Sequence, residues 1–294
     1  MTSLAQLVGR LARPSRMFCV MTLSDYIDES YNSRTFCVGG LLAPVSMWSS
    51  IEASWKQRLE YENRLSAKKG FPPISRYHAT DCANLKREFS DKNGWNIGRQ
   101  IRLSKRLCQI LAENGPYAIV YGASLTAIQK YLPPNENPAE EFLYHISTIM
   151  HLMLVGQIMK EQFPRDRVTV YYDRSKQFGR IAREVFDSFM KDPTVKDIFG
   201  CFATMAPMGW EDCIALQPAD FIAYEGMKRV DGSLGGNDNI RKSLRALLGD
   251  KMPLRIEHFT EQNLSELMKI LDNKKNGKPL NEGVSSKLRI CHNQ

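Results

Sequence analysis

The chain has 294 residues, of which 43% are hydrophobic and 24% charged, and its formal net charge is +8. That is enough apolar material for one sizeable core, so a globular chain of one large domain or two modest ones is expected. No run reaches the roughly 18–20 uninterrupted apolar residues of a membrane helix; even Phe142 to Met159 is broken by His145, Ser147, His151 and Gln157. Seven cysteines stand singly, with no C-x-x-C pair and no secretory leader before them, which fits a reducing cytoplasm and disfavours zinc. The charge is uneven. Residues 1–16 hold three Arg and no acid, residues 239–294 hold 11 Lys and Arg against 6 Asp and Glu, and residues 17–238 balance. Basic ends attract a polyanion such as nucleic acid, and they also serve as plain solubilising charge.

In chain order, Met17 to Ile27 and Thr35 to Leu42 are apolar runs separated by Tyr31-Asn32-Ser33-Arg34, which predicts an antiparallel hairpin with Asp28 near its tip. Residues 46–66 and 100–113 have helical spacing, the second stopped by Asn114-Gly115-Pro116, with a polar, less periodic stretch between them. Tyr117 to Leu125 is a third strand. A proline-rich turn at 131–138 precedes a long helix over 139–162. Strand 168–173, helix 178–190, strand 198–205 and helix 214–230 follow, then a glycine-rich loop at 231–237 and short helices at 239–248 and 261–272.

Three aspartates far apart in sequence sit at the ends or inner faces of these apolar elements: Asp28, Asp173 and Asp220. A carboxylate in such a place costs several kcal/mol unless something cationic neutralises it, and a divalent cation does so. Taken singly, each also reads as a strand-end cap or an ion-pair partner; taken together, their placement favours a shared site. Three antiparallel strands, then two helix-linked strands and a closing helix, is the ribonuclease H-like order: a mixed five-stranded α/β sheet flanked by helices, here with a helical insertion over 46–113.

Locally the chain resembles the bacterial and phage proteins grouped as domain of unknown function 3800, a ribonuclease H-like family, through Tyr26-Ile27-Asp28-Glu29-Ser30, His78 with Asp81, and Leu216-Gln217-Pro218-Ala219-Asp220. The resemblance spans roughly residues 18–230, and Tyr31 replaces the glycine expected after Ser30. It implies a domain over 17–230, a basic extension at 1–16 and a C-terminal helical extension with a basic tail over 231–294. It also implies a magnesium- or manganese-dependent nuclease from a mobile or defence-related element, with acids drawn from the first strand, the fourth strand and the last core helix.

Phosphodiester hydrolysis suits that set, because two hard cations about 3.5–4 Å apart activate water and neutralise the leaving oxygen, and hard cations select oxygen ligands. Asp28 is the expected bridging ligand, closed in by Asp173 and Asp220. Glu29 and Glu141 are secondary ligands: Glu29 is expected on the opposite side of a regular strand, and Glu141 is equally served by the helix dipole. His78 is a candidate proton donor or phosphate contact, or simply a partner of Asp81. Ser30, Gln217, Arg174 and Lys176 are candidate substrate contacts, and the four tryptophans are expected in the core or an interface. The alternatives are a non-catalytic nucleic-acid-binding module on the same fold, and a metal-dependent phosphoesterase for a small nucleotide.

Overall fold

The computed structural model describes residues 22–132, 139–174, 177–191, 200–237, 241–247 and 252–275. Strands β1 (Thr22–Tyr31) and β2 (Thr35–Pro44) form the expected hairpin. Its turn is closed by Asn32, whose side-chain oxygen accepts from the backbone N–H of Arg34 and of Thr35, each at 2.8 Å. Helices α1 (Val45–Ala67), α2 (Ala79–Ala83) and α3 (Ile97–Asn114) intervene before β3 (Tyr117–Ser124). Asn96 caps α3 by accepting from Arg99 N–H at 2.9 Å, and Gly115 ends it at φ +70°. Next come α4 (Leu125–Gln129), α5 (Ala139–Gln162), β4 (Arg167–Asp173), α6 (Gly179–Lys191), β5 (Phe202–Met208) and α7 (Leu216–Leu234). The described chain closes with α8 (Lys242–Leu247), β6 (Leu254–Phe259) and α9 (Glu261–Lys275).

The architecture is α/β, with a mixed sheet in the order β5-β4-β1-β2-β3-β6 and helices on both faces. The β1/β2 and β2/β3 pairs are antiparallel; β1/β4, β4/β5 and β3/β6 are parallel. Among the described residues, six strands form the sheet where five are expected. The extra one, β6, comes from the C-terminal segment, which therefore contributes to the sheet besides supplying helices. Two further boundaries move: β5 starts at Phe202 and runs to Met208, and α7 continues through Asp231 to Leu234, where a loop is expected from the glycines. Residues 1–16, the proline-rich 133–138 and Lys176 lie outside the described residues.

Strand alternation sends β1 into two cores. Leu23 and Ile27 pack on the face covered by α5 and α6, whereas Tyr26 joins the face covered by α1, α3 and α7. Helix α5 is long and apolar enough to cross a membrane by length and composition; 67% of that window is buried, as a helix enclosed by the sheet and its neighbours requires. On the other face α7 approaches the sheet closely. A Cβ on Gly39 would lie 2.6 Å from the Ala223 Cα, so glycine and alanine here permit a backbone-to-backbone contact that larger residues forbid. That approach brings the first half of α7 over the carboxyl ends of β1 and β4.

Candidate functional site

Strand β1 pairs antiparallel with β2 on one side and parallel with β4 on the other, so the chain's direction around the sheet reverses at β1/β4. The carboxyl ends of strands beside such a reversal leave a crevice free of crossing connections, where ligands bind in open α/β sheets. Asp28 and Asp173 stand there. Register pairs Ile27 with Tyr172, which sets Asp28 and Asp173 one step further along each strand. Asp220, on α7, joins them in a cavity of about 320 Å³ that is also lined by Glu29, Ser30, Arg76, His78, Trp210 and Gln217.

Electrostatics records the crowding. Burial, then the neighbouring charges of Glu29, Asp220 and Asp173, push the Asp28 carboxyl far above its ordinary range. Glu29 is pushed up to about 8, first by burial and then by Asp173. Asp173 and Asp220 are also raised by burial, an effect moderated in Asp220 chiefly by His78 and in both by Arg76. Glu29 sits as strand alternation requires on the α5 face, opposite Val38, and its charge raises the Tyr144 hydroxyl of α5. At the strand's end, however, it still lines the same cavity as Asp28. An alternation rule applies inside a sheet and loses force at the rim, where both faces open onto one crevice.

The insertion is fastened to this crevice from below. Asp220 Oδ2 accepts from Ala79 N–H at 2.8 Å, capping α2, and Gln217 Oε1 accepts from Tyr77 N–H at 2.9 Å and Trp55 Nε1 at 3.3 Å. The Gln217 oxygen is thus committed to holding residues 77–79 in place, while the side chain still lines the cavity. His78 Nδ1 lies 2.9 Å from Asp81 Oδ2, at ion-pair distance though off the line of a hydrogen bond, which leaves Nε2 as the nitrogen available to a ligand.

Arg76 and Trp210 are among the lining residues to which sequence reasoning gave no site role. The guanidinium of Arg76 lies over the Trp210 ring at 4.2 Å, a cation–π contact that braces the cavity's cation. An Arg beside the His78 motif was the available signal; the Trp that braces it lies 134 positions away and gave none. Two expected residues are not brought into the lining. Arg174 is exposed and 3.8 Å from Asp212, although its charge lowers Asp173 slightly, and the charge of Glu141 acts on Arg180 of α6. Both belong to the rim or surface because their elements diverge from the crevice.

Among the described residues, four carboxylates, the Ser30 and Thr80 hydroxyls and no sulfur form an oxygen donor set of the kind that hard divalent cations prefer. The raised carboxyls are the second indication of fit, since a cation favours the charged forms that burial and, at Asp28 and Glu29, neighbouring carboxylates disfavour. Among the described residues, no three His, Cys, Asp or Glu side chains stand in a closed, ready-made ligand geometry. No protein-family model matches this chain, and no curated protein does.

Proposed function

We propose that this protein is a ribonuclease H-like, divalent-metal-dependent nuclease, related to the domain of unknown function 3800 proteins that its Asp28, His78 and Asp220 motifs resemble. The fold supports the reading: the first five strands follow the order 3-2-1-4-5, with an antiparallel trio and a parallel extension at the central strand. The single observation that carries it is the convergence of Asp28, Glu29, Asp173 and Asp220 on one crevice at the carboxyl ends of β1 and β4. Burial raises all four carboxyls, and Asp28 and Glu29 are raised further by their acidic neighbours, an arrangement retained where a cation is to be bound.

Asp28, Asp173 and Asp220 would hold Mg²⁺ or Mn²⁺, with Glu29 as a fourth oxygen ligand. When bound, the ions supply activation of water and neutralisation of charge at the scissile phosphate. Arg76, fixed on Trp210, attracts a phosphate oxygen and orients the diester. His78, its Nδ1 turned to Asp81, presents Nε2 to the departing oxygen, which would take its proton there. Ser30, two residues on from Asp28, lines the same cavity, where its hydroxyl would meet a bound phosphate.

The test is cleavage of labelled single- and double-stranded RNA and DNA with millimolar Mg²⁺ or Mn²⁺, comparing wild type with Asp28→Asn. Loss of cleavage by several orders of magnitude in the variant, with the fold intact, is expected. Equal cleavage by the two proteins would overturn the mechanism, and tight binding without cleavage of any strand would favour a non-catalytic binding module. The cavity's 320 Å³ also admits a small nucleotide diester. Hydrolysis of such a diester with none of the polymers would make the protein a phosphoesterase.

A further inference from the structure

A second concavity lies in the insertion, between α1 and α3, and its chemistry is the reverse of the first. Its volume is about 470 Å³, and its walls carry Arg58, Lys69, Arg102, Lys105 and Arg106, with the Tyr61 ring at its edge. The charge balance of the body conceals this: residues 45–114 hold 13 Lys and Arg against 7 Asp and Glu. Among the described residues, the only carboxylate in the lining is Glu62, and it is already engaged. Glu62 is ion-paired with Arg58 and accepts from Arg99 Nε at 2.8 Å, while Arg99 is itself buried, bonded to Ser66 Oγ at 2.9 Å and stacked on Trp95 at 3.9 Å. Lys69, Arg102 and Lys105 have no acidic partner among the described residues, and the buried Arg58 Nε has no acceptor there.

Cations gathered on a concave wall repel one another; Glu62 and Glu113 pair with Arg58, Arg99 and Arg106, and no acid among the described residues relieves the rest. A bound polyanion does. Tyr61 narrows the class. It is 43% exposed, and Arg58 lies 4.8 Å over its ring, so it presents an aromatic face flanked by phosphate-binding charge, the pairing that single-stranded nucleic acid uses. The cleft is also tethered to the carboxylate crevice: Lys69 lines one and Arg76 the other, seven residues apart, which bounds their separation at roughly 25 Å.

We infer that the α1/α3 cleft is a strand-holding site that grips the phosphates of a single-stranded nucleic acid and stacks a base on Tyr61. For what it delivers the strand to, the inference rests on the nuclease reading above; for binding itself it does not. A strand anchored here reaches the carboxylate crevice only if it is long enough to span both, so the cleft favours polymers over short diesters.

The experiment uses the full chain and fluorescein-labelled 20-nucleotide single strands of DNA and RNA. Anisotropy is read in EDTA, so that no cleavage occurs, across a salt series. Arg102→Gln with Lys105→Gln removes two exposed cations; it is expected to weaken binding at least tenfold at low salt and to make the salt slope shallower by about 1.4. Tyr61→Ala is expected to weaken single-strand binding several-fold and leave duplex binding unchanged. With metal, the double variant should lose kcat/KM on the 20-mer and keep it on a dinucleotide diester. Unchanged affinity and slope in the double variant, with its melting temperature at the wild-type value, would overturn the proposal. So would binding to poly-glutamate or anionic vesicles as tight as to the strand and indifferent to Tyr61. If no substrate is cleaved yet the double variant still loses the strand, the nuclease reading fails and the strand-holding site stands.

Discussion

Asp220 Oδ2 accepts a hydrogen bond from the backbone N–H of Ala79 at 2.8 Å, across 141 positions of sequence. One carboxylate therefore faces the acidic crevice and at the same time caps α2 of the insertion, so the crevice and the segment that carries Arg76 and His78 are positioned by a shared contact. Asp220→Asn keeps an oxygen for Ala79 and removes a crowded negative charge. Its melting temperature without metal is expected to match or exceed that of the wild type, with stabilisation by metal largely lost. Asp220→Ala gives up the cap as well and should unfold about 1–3 kcal/mol more easily than Asp220→Asn. Differential scanning calorimetry on both variants, with and without Mn²⁺, checks this.

The pH dependence follows from Glu29. Its folded pKa of about 8 exceeds the unfolded value near 4.5, so between these limits the folded chain binds more protons than the unfolded one. The stability this group contributes is complete below pH 4.5 and is lost as pH rises through about 8. Asp28, raised in the same direction, adds to the trend. Without metal, the melting temperature is expected to fall from pH 5 to pH 8. Millimolar Mn²⁺ should flatten that decline and release protons at pH 7, measurable by calorimetry in buffers of different ionisation enthalpy.

Gln217 tests how the insertion is held. Its oxygen serves both Tyr77 N–H and Trp55 Nε1, so Gln217→Ala leaves two buried donors unsatisfied. A loss of about 2–5 kcal/mol in urea unfolding is expected, together with faster amide exchange over residues 75–83. Gln217→Glu, which restores an acceptor, should recover the exchange protection of Tyr77. Exchange unchanged by Gln217→Ala would show that the aromatic cluster around Trp55 and Phe221 fixes the segment alone.

Beneath the sheet, His151 Nε2 and Asp25 Oδ2 lie 2.7 Å apart, both fully buried. Removing one partner strands the other in the core, and His151→Leu is expected to cost about 3–5 kcal/mol. Pairing it with Asp25→Leu should recover much of that loss, because an apolar pair leaves no polar group unsatisfied. Thermal unfolding of the two single variants and the double variant measures the coupling.

Much of this molecule is legible in the sequence because periodicity and punctuation are local properties. The helix from Ala139 to Gln162 has the bounds its apolar pattern gives, and Gly115 stops α3 where Asn-Gly-Pro predicts. Asp28, Asp173 and Asp220 stand out because a carboxylate inside an apolar run is costly wherever the run folds. Strand β6 carries only a short signal: apolar and charged residues alternate over Leu254 to Glu257 alone, and the strand, only partly buried along most of its length, gains its identity by pairing with β3. Glu29 was assigned by alternation to the far face, and only the rim of the sheet returned it to the crevice. Gln217 is a candidate substrate contact by sequence, and its second role as a fastener was not legible there, because its donors, Tyr77 and Trp55, arrive from a segment more than 130 residues earlier. The bracing of Arg76 by Trp210, the sharing of Glu62 between Arg58 and Arg99, and the Asp25–His151 pair were decided by tertiary structure alone. Each depends on which distant side chain occupies a neighbouring volume, and the spacing of residues along the chain does not encode that.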